Sequence, residues 1–325
     1  METKILYVLV SSPKDCYLEQ AYISAYSARA HNPSATIVLL TDQDTEKSFQ
    51  ERGAIGVSFP ALFDEIVSIE LEPSLTPMLR SRILKTGMRS YVKGDFLYID
   101  SDTLIVRPLD AIDSVAGPLA ACRDLHCDFP DHPHRGASLS YCRKLGFDAS
   151  REPVYFNGGV MLARDQAIAY DFFARWQKNY LEGQKAGVRP DQPSLAKTIA
   201  EMDHPLVLLD DVWNCQMQNG VRFMKDAFIF HYVCTNVASG EEGKLFCLND
   251  RDVLMKVRNQ GIEAVCPVVD DFFRGFASST QLYAGEDLFF FQTRRYKWLR
   301  RSYRRDGFSL LEWLLKVKDH LLKRV

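Results

Sequence analysis

The sequence predicts an α/β fold in which helices pack on a mostly parallel sheet. Short apolar runs rich in β-forming residues alternate with helical stretches, at the intervals expected of strand, helix, strand units. The chain has 325 residues, 46% hydrophobic and 25% charged, which suits one large globular domain with an appendage. Two acids directly follow one predicted strand, at the sheet edge where α/β proteins bind ligands.

The chain begins with a predicted strand, helix and strand. The apolar run KILYVLV covers residues 4–10 and is typical of a strand buried on both faces of a parallel sheet. Apolar residues recur at helical spacing in YLEQAYISAYSARAHNP, and its final Asn-Pro pair ends the helix. The second strand, TIVLLTD, follows at once. These three elements form a βαβ unit.

The next predicted helix and strand lead to the two acids. The stretch RSRILKTGMRSYV has apolar residues on one helical face, and the strand at 96–99 follows after a glycine. Asp100 and Asp102 come at the end of this strand. Acids one residue apart in extended chain point the same way, so their carboxylates repel each other unless a cation lies between them.

The rest of the main body alternates strands and helices to about residue 235. A strand is predicted in VYFNGGVMLAR, helices in AIAYDFFARWQKNYLEG and RPDQPSLAKTIAEM, and short strands in PLVLLD and AFIFHYV. The segment 122–151 is predicted to be an irregular loop. We therefore predict a main domain over residues 1–250 and a C-terminal extension over residues 251–325.

The sequence has three Asp-x-Asp pairs, Asp42/Asp44, Asp100/Asp102 and Asp250/Asp252. The first and third precede stretches that resemble the first turn of a helix, where acids are favourable. Only Asp100/Asp102 lies between two strand-like runs, 96–99 and 103–106. That pair is a candidate metal site, with a turn or helix-capping role as the alternative.

A metal held by this pair would be a hard cation. Carboxylate oxygens favour Mg²⁺ or Mn²⁺, and one imidazole ligand favours Mn²⁺. His231 is the candidate imidazole because it stands at the far end of the apolar run AFIF. A purely structural histidine at a strand end is the alternative.

Five motifs, in this order, resemble those of the family 8 retaining glycosyltransferases, the group of glycogenin and the bacterial lipooligosaccharide galactosyltransferases. They are YIDSDTLIVRPL, YFNGGVMLAR, DQPSLA, WNCQ and FHY, and the match covers about residues 4–235. The resemblance implies the glycosyltransferase A fold and a metal-dependent, retaining transfer of a hexose from a UDP-sugar to a hydroxyl of a glycan or glycolipid. It also implies that Asp100, Asp102 and His231 bind Mn²⁺, with Mg²⁺ as the alternative, against the donor diphosphate.

The same resemblance assigns the other site residues. Contacts with the donor fall to Val10, Ser11, Ser12, Tyr17, Arg82 or Lys85, Ser101, Asp124, Gly158 and Lys244. The reacting carbon would lie beside Asn157, Asp191 and Gln192. Family members often carry Lys-Pro-Trp after the metal histidine, and this sequence lacks the Pro-Trp. Lys244, or the amides around Gly240 and Gly243, would substitute there.

A cysteine- and histidine-rich segment allows a second metal hypothesis. Its members are Cys122, His126, Cys127, His132, His134 and Cys142. Zinc sites usually show repeated pairs two to four residues apart, which this segment lacks. We interpret it as an acceptor-binding flap, with structural zinc as the alternative.

The C-terminal segment is strongly basic. Eleven Lys and Arg against three acids follow residue 290, and a capping box at Ser309 and Glu312 begins a predicted amphipathic helix. Such a tail suits an anionic membrane surface, packing on the acidic body or, as a third reading, nucleic acid.

Composition also bears on the compartment. No run reaches the roughly 18 apolar residues of a membrane span. The eight cysteines show no disulfide framework and indicate a reducing compartment. We predict a cytoplasmic enzyme, peripheral at the inner face of a membrane. The alternatives are an inactive sugar- or nucleotide-binding protein of the same fold, or a nucleic-acid-binding protein.

Overall fold

The structure, a computed structural model, describes residues 1–233, 246–276, 290–291 and 293–297. The strands are β1 (Lys4–Leu9), β2 (Ile37–Asp42), β3 (Glu65–Ile69), β4 (Phe96–Ile99), β5 (Thr103–Ile105), β6 (Leu119–Arg123), β7 (Phe156–Ala163), β8 (Leu206–Leu208), β9 (Cys215–Gln216) and β10 (Ile229–His231). The helices are α1 (Tyr17–His31), α2 (Gln43–Ser48), α3 (Gly53–Ser58), α4 (Pro77–Tyr91), α5 (Arg135–Lys144), α6 (Ala167–Lys185), α7 (Gln192–Glu201), α8 (Arg251–Gln260) and α9 (Cys266–Asp270).

The described part of the chain forms a mixed sheet in the order β3-β2-β1-β4-β7-β6-β8. The first four of these strands are parallel, and β7 runs antiparallel to both β4 and β6. A smaller sheet has the order β5-β10-β9. The predicted α/β fold is therefore confirmed.

The main sheet has a hydrophobic core on each face. Alternate residues of β1 divide between the two cores: Ile5 and Tyr7 join one, and Leu6 joins the other. The first core includes apolar residues of α1 and α8, and the second those of α4, α6 and α7. Burial on both faces explains why β1 and β2 are nearly continuous apolar runs.

Helix α4 brings two cationic side chains to the end of β4. Thr76 caps its N-terminus by accepting a hydrogen bond from the Leu79 amide, and Pro77 occupies the first turn. Buried Leu84 and Met88 fix the face that packs on the sheet. This packing determines the direction in which Arg82 and Lys85 emerge from the helix.

The structure corrects the predicted element map in two places. β3 is a partly exposed edge strand that starts at Glu65, and its weak apolar pattern hid it, so the acids follow the fourth strand. The predicted irregular segment 122–151 contains the end of β6 and the helix α5.

The compact units of the chain do not coincide with the predicted domains, 1–250 and 251–325. The chain divides at Ser278, and α8 lies in the first unit. Leu254 and Val257 of α8 are fully buried in the first core, which explains why the unit continues past 250. In the second unit, the Phe291 and Tyr296 rings contact each other with centroids 4.6 Å apart. The predicted helix from Ser309 lies outside the described residues.

In the part of the chain that the structure describes, we find no helix with the length and apolar character needed to cross a membrane.

Candidate functional site

Asp100, Asp102 and His231 converge at the carboxyl end of β4. Their ligand atoms all lie within 4.8 Å of one another. The pairing of β5 with β10 produces this arrangement, because its register places His231 opposite Thr103. The His231 Nε2 atom is 3.2 Å from Asp102 Oδ1. The topology thus joins residues that are 129 positions apart in sequence.

Gly159 gives this cluster its space. Its carbonyl accepts a hydrogen bond from the Asp100 amide at 2.7 Å. A Cβ atom here would lie 2.7 Å from His231 Cε1 and 2.8 Å from Asp100 Oδ2, both too close for real contacts. At Gly158, the glycine named from the sequence, a Cβ would make ordinary contacts of 3.7 Å. The required glycine is therefore the second of the pair.

A chain of hydrogen bonds fixes the orientation of the His231 ring. The Asn157 Oδ1 atom accepts from the Gly159 amide at 2.8 Å and from Asn214 Nδ2 at 3.0 Å. Asn214 must therefore present its Oδ1 atom to His231 Nδ1, 2.8 Å away. Because Oδ1 can only accept, His231 Nδ1 carries a proton. This leaves Nε2 facing the acids, where a protonated ring donates to Asp102 Oδ1 and a neutral ring offers a lone pair to a metal ion.

The donor set fits a hard divalent cation. Two carboxylates and one oriented imidazole suit Mn²⁺, and Mg²⁺ less well because of the nitrogen ligand. Burial alone would lower the pKa of His231, but the charges of Asp102 and Asp100 raise it above its ordinary value. The acids therefore favour positive charge at this position.

Two basic residues connect the cluster to Asp191. The Lys85 Nζ atom is 3.1 Å from Asp100 and 3.5 Å from Asp191 Oδ2, and Arg82 lies 3.6 Å from Asp191 Oδ1. Burial would raise the pKa of Asp191, but Arg82 and Lys85 hold it down to about 2. Asp191 is thus an ionised carboxylate with a cation facing each oxygen.

Asp100 has a further partner that the sequence reading missed. The buried Tyr98 hydroxyl donates a hydrogen bond to Asp100 Oδ1. Burial, followed by the Asp100 charge and this hydrogen bond, raises the pKa of Tyr98 well above its ordinary value. Tyr98 occurs in the YIDSD motif, so the sequence shows that it lies close to the acids along the chain. That its side chain points toward Asp100 depends on the pleat of the strand.

The loop after β1 carries the residues predicted to contact the nucleotide. Asp15 organises it by accepting hydrogen bonds from Ser11 Oγ at 2.6 Å, the Ser12 amide at 2.8 Å and the Tyr17 amide at 3.1 Å. Val10 precedes the loop and is buried. Because β1 pairs in parallel with β4, the loop lies beside the acid cluster.

The remaining predicted residues differ in their surroundings. Asp124 accepts hydrogen bonds from Asn157 Nδ2 at 2.7 Å and from His132 Nε2 at 2.9 Å. Gln192 is in the first turn of α7, and its Nε2 atom lies 3.5 Å from the Phe156 carbonyl. Ser101 lies between the two acids and is half-buried. Lys244, Gly240 and Gly243 lie outside the described residues.

The sequence analysis predicted no role for several other functional candidates, although the motif of two of them was identified. Asn214 and Gln216 belong to WNCQ, and both hydrogen-bond Asn157. His132 is in the cysteine- and histidine-rich segment. Across the described residues, the acid and histidine cluster is the one group of three potential ligands found close enough for a metal, and it includes no member of that segment.

Solved structures similar to this one include glycosyltransferases. The galactosyltransferase LgtC, solved with donor and acceptor sugar analogues, matches with 16% identity and a TM-score of 0.50, over 71% of this chain and 87% of that chain. The bifunctional glycosyltransferase WbbM, in its apo structure, matches with 14% identity and a TM-score of 0.52, over 84% of this chain and 51% of that chain. The apo form of the glycosyltransferase GlyE of Streptococcus pneumoniae TIGR4 matches with 16% identity and a TM-score of 0.50, over 86% of this chain and 66% of that chain.

No protein-family model matches the sequence, and no curated protein sequence is similar to it. The structural likeness to LgtC and WbbM confirms the fold that the motif resemblance implies. The chain has the glycosyltransferase A fold.

Proposed function

We propose that the protein is a metal-dependent retaining glycosyltransferase that moves a hexose from a UDP-sugar to a hydroxyl of a glycan or glycolipid. The observation that carries this proposal is the convergence of Asp100, Asp102 and His231 at the carboxyl end of β4. In open α/β sheets this edge binds the ligand. The similarity to LgtC, whose structure holds donor and acceptor sugar analogues, supports the choice of reaction.

The charge around the cluster suits an anionic donor. A bound divalent cation would neutralise the charge that develops on the departing diphosphate, which is worth several kcal/mol. Asp100, Asp102 and His231 would hold it. Lys85 and Arg82 add positive charge on the same side of the site. In this proposal, Lys244 also contacts the diphosphate.

Asp191 suits an electrostatic role better than a covalent one. With a cation facing each oxygen and a pKa of about 2, it is a weak base and a weak nucleophile. Its fixed negative charge can stabilise the positive charge that grows on the reacting carbon. Asn157 and Gln192 would then position the sugar by their amides. This division of roles favours attack by the acceptor from the face that the nucleotide leaves.

The proposal for the acceptor and the location is supported by the basic C-terminal segment. A basic C-terminal segment suits an anionic membrane surface, so we place the enzyme in the cytoplasm at the inner face of a membrane, with a membrane-proximal acceptor.

The test is a donor screen with Mn²⁺. Purified protein is incubated with a panel of nucleotide sugars, and the released nucleotide is measured. We expect turnover of a UDP-hexose, loss of that turnover on chelation, and recovery when Mn²⁺ is returned. Binding of UDP and Mn²⁺ without turnover of any donor would support the inactive binding protein instead.

A further inference from the structure

We propose that His132 is a positioning residue that holds Asp124 as a hydrogen-bond acceptor for the donor sugar, and so contributes to the choice of sugar. This inference rests on the proposed function. It assigns a role to the segment 122–142, for which the sequence reading offered only a flap or a zinc site.

The His132 ring has one protonation state that satisfies its contacts. Its Nδ1 atom accepts a hydrogen bond from the His134 amide at 3.1 Å, so the proton must be on Nε2. The Nε2 atom donates that proton to Asp124 Oδ2 at 2.9 Å. The ring is buried and packs against Tyr155, with centroids 5.7 Å apart. His132 is therefore a fixed donor.

The other oxygen of Asp124 is held by the residues that orient His231. Asn157 donates to Asp124 Oδ1 at 2.7 Å, and Asn157 itself is fixed by the Gly159 amide and by Asn214. Asp124 and His231 are thus at opposite ends of one row of hydrogen bonds. Each carboxylate oxygen accepts two hydrogen bonds, so Asp124 keeps acceptor capacity beyond these two partners. A sugar hydroxyl is the donor that suits it.

The backbone after Asp124 adopts a conformation that must be maintained by its surroundings. Leu125 and His126 both have positive φ, 52° and 57°, which is unfavourable for residues with a Cβ atom. The Gln216 side-chain Oε1 atom accepts a hydrogen bond from the Leu125 backbone amide at 2.9 Å. The Gln216 backbone amide donates a hydrogen bond to His126 Nε2 at 2.8 Å. Such strain recurs where a side chain must be placed for function. Here it places Asp124 beside Asn157.

The experiment compares substitutions of His132 that differ in the position of their hydrogen-bond donor. His132→Leu removes the donor. His132→Gln keeps an N–H near the position of Nε2, and His132→Asn is polar but too short. His204→Leu is the matched control, since His204 pairs with Glu152 at 2.8 Å on the surface.

We expect His132→Leu to lower kcat/KM with UDP-hexoses by about tenfold to a hundredfold. We also expect it to change the ratio of kcat/KM between UDP-glucose and UDP-galactose by about tenfold. His132→Gln should retain most of the wild-type kcat/KM and of the wild-type donor ratio, and His132→Asn should retain neither. His204→Leu should change neither. Affinity for UDP with Mn²⁺ should be unchanged in every variant. An unchanged donor ratio in folded His132→Leu and His132→Asn would overturn the proposal.

A second measurement separates this inference from the proposed function. NMR of protein labelled with ¹⁵N-histidine reports which ring nitrogen of His132 carries the proton, and a second sample labelled with ¹⁵N in the asparagine side chains reports the Asn157 amide. We expect the Nε2–H form, and a shift of the Asn157 side-chain amide in His132→Leu. An Nδ1–H form, or an unmoved Asn157 amide, would overturn the inference. These signals are measured even if no donor is turned over, a result that would refute only the proposed function.

Discussion

Two Asp-x-Asp pairs follow parallel strands of the same sheet, yet they have different partners. Asp42/Asp44 comes at the end of β2, and Asp100/Asp102 at the end of β4. At the first pair, Arg80 Nη1 lies 2.7 Å from Asp42 and 2.6 Å from Asp44. A side-chain cation therefore already bridges these two carboxylates.

The second pair has a different environment. Asp102 contacts His231, and Asp100 contacts Lys85 and Tyr98, while Gly159 keeps the space between the ligand atoms clear. The ion pairs described for these two acids are those of Asp100 with Lys85 and of Asp102 with His231. The comparison teaches that an Asp-x-Asp pair is a metal candidate when a histidine, rather than a bridging arginine, completes its surroundings.

The largest expected effect separates the two pairs directly. We expect Asp102→Asn to lower glycosyl transfer by at least about 10³-fold, because a cation's stabilisation of the leaving group is worth several kcal/mol. Asp44→Asn should leave transfer within about threefold, since Asp44 is an exposed partner in an ion pair. Nucleotide release with saturating donor and Mn²⁺ measures both. Equal losses in the two variants would contradict the distinction.

Space at the second pair can be tested with the adjacent glycines. Gly159→Ala places a methyl group against His231 and Asp100 and should weaken Mn²⁺ affinity by about a hundredfold. Gly158→Ala makes only ordinary contacts and should have a much smaller effect on Mn²⁺ affinity. Calorimetric titration with Mn²⁺ measures this difference, and circular dichroism checks that both variants fold. If Gly158→Ala weakened Mn²⁺ more, the assignment of the critical glycine would be wrong.

The sequence could predict the strands that are buried on both faces, since β1, β2 and β4 are continuous apolar runs. It also predicted that Asp42 and Asp250 precede helices: each caps its helix, accepting from the Thr45 and Asp252 amides. An edge strand such as β3 gives no such signal because much of it faces solvent.

The candidate site was predictable only in part. The acids were evident from their place after a strand, but the Asp102 contact with His231 depends on pairing between β5 and β10. The role of Asn214 depends on side-chain direction, which sequence spacing does not encode. Arg80, which distinguishes the two acid pairs, is on a helix well separated from Asp42 in sequence. Long-range partners are therefore the part that the sequence alone could not supply.

The smallest expected effect concerns the first pair and stability rather than catalysis. Arg80→Met leaves Asp42, which is almost fully buried, without its cation, and should lower the free energy of unfolding by about 2 kcal/mol. Arg175→Met removes an exposed ion pair with Asp171 and should leave the free energy of unfolding nearly unchanged. Urea unfolding measures both.

Mn²⁺ makes the Arg80→Met experiment decisive. If two acids were enough for a metal site, Mn²⁺ would restore the stability that Arg80→Met loses, by binding between Asp42 and Asp44. We expect no such rescue, because among the described residues no histidine, cysteine or further acid forms a group of three with this pair. Rescue at moderate Mn²⁺ concentration would show that the arginine alone distinguishes the two pairs, and that His231 is not required to define the second.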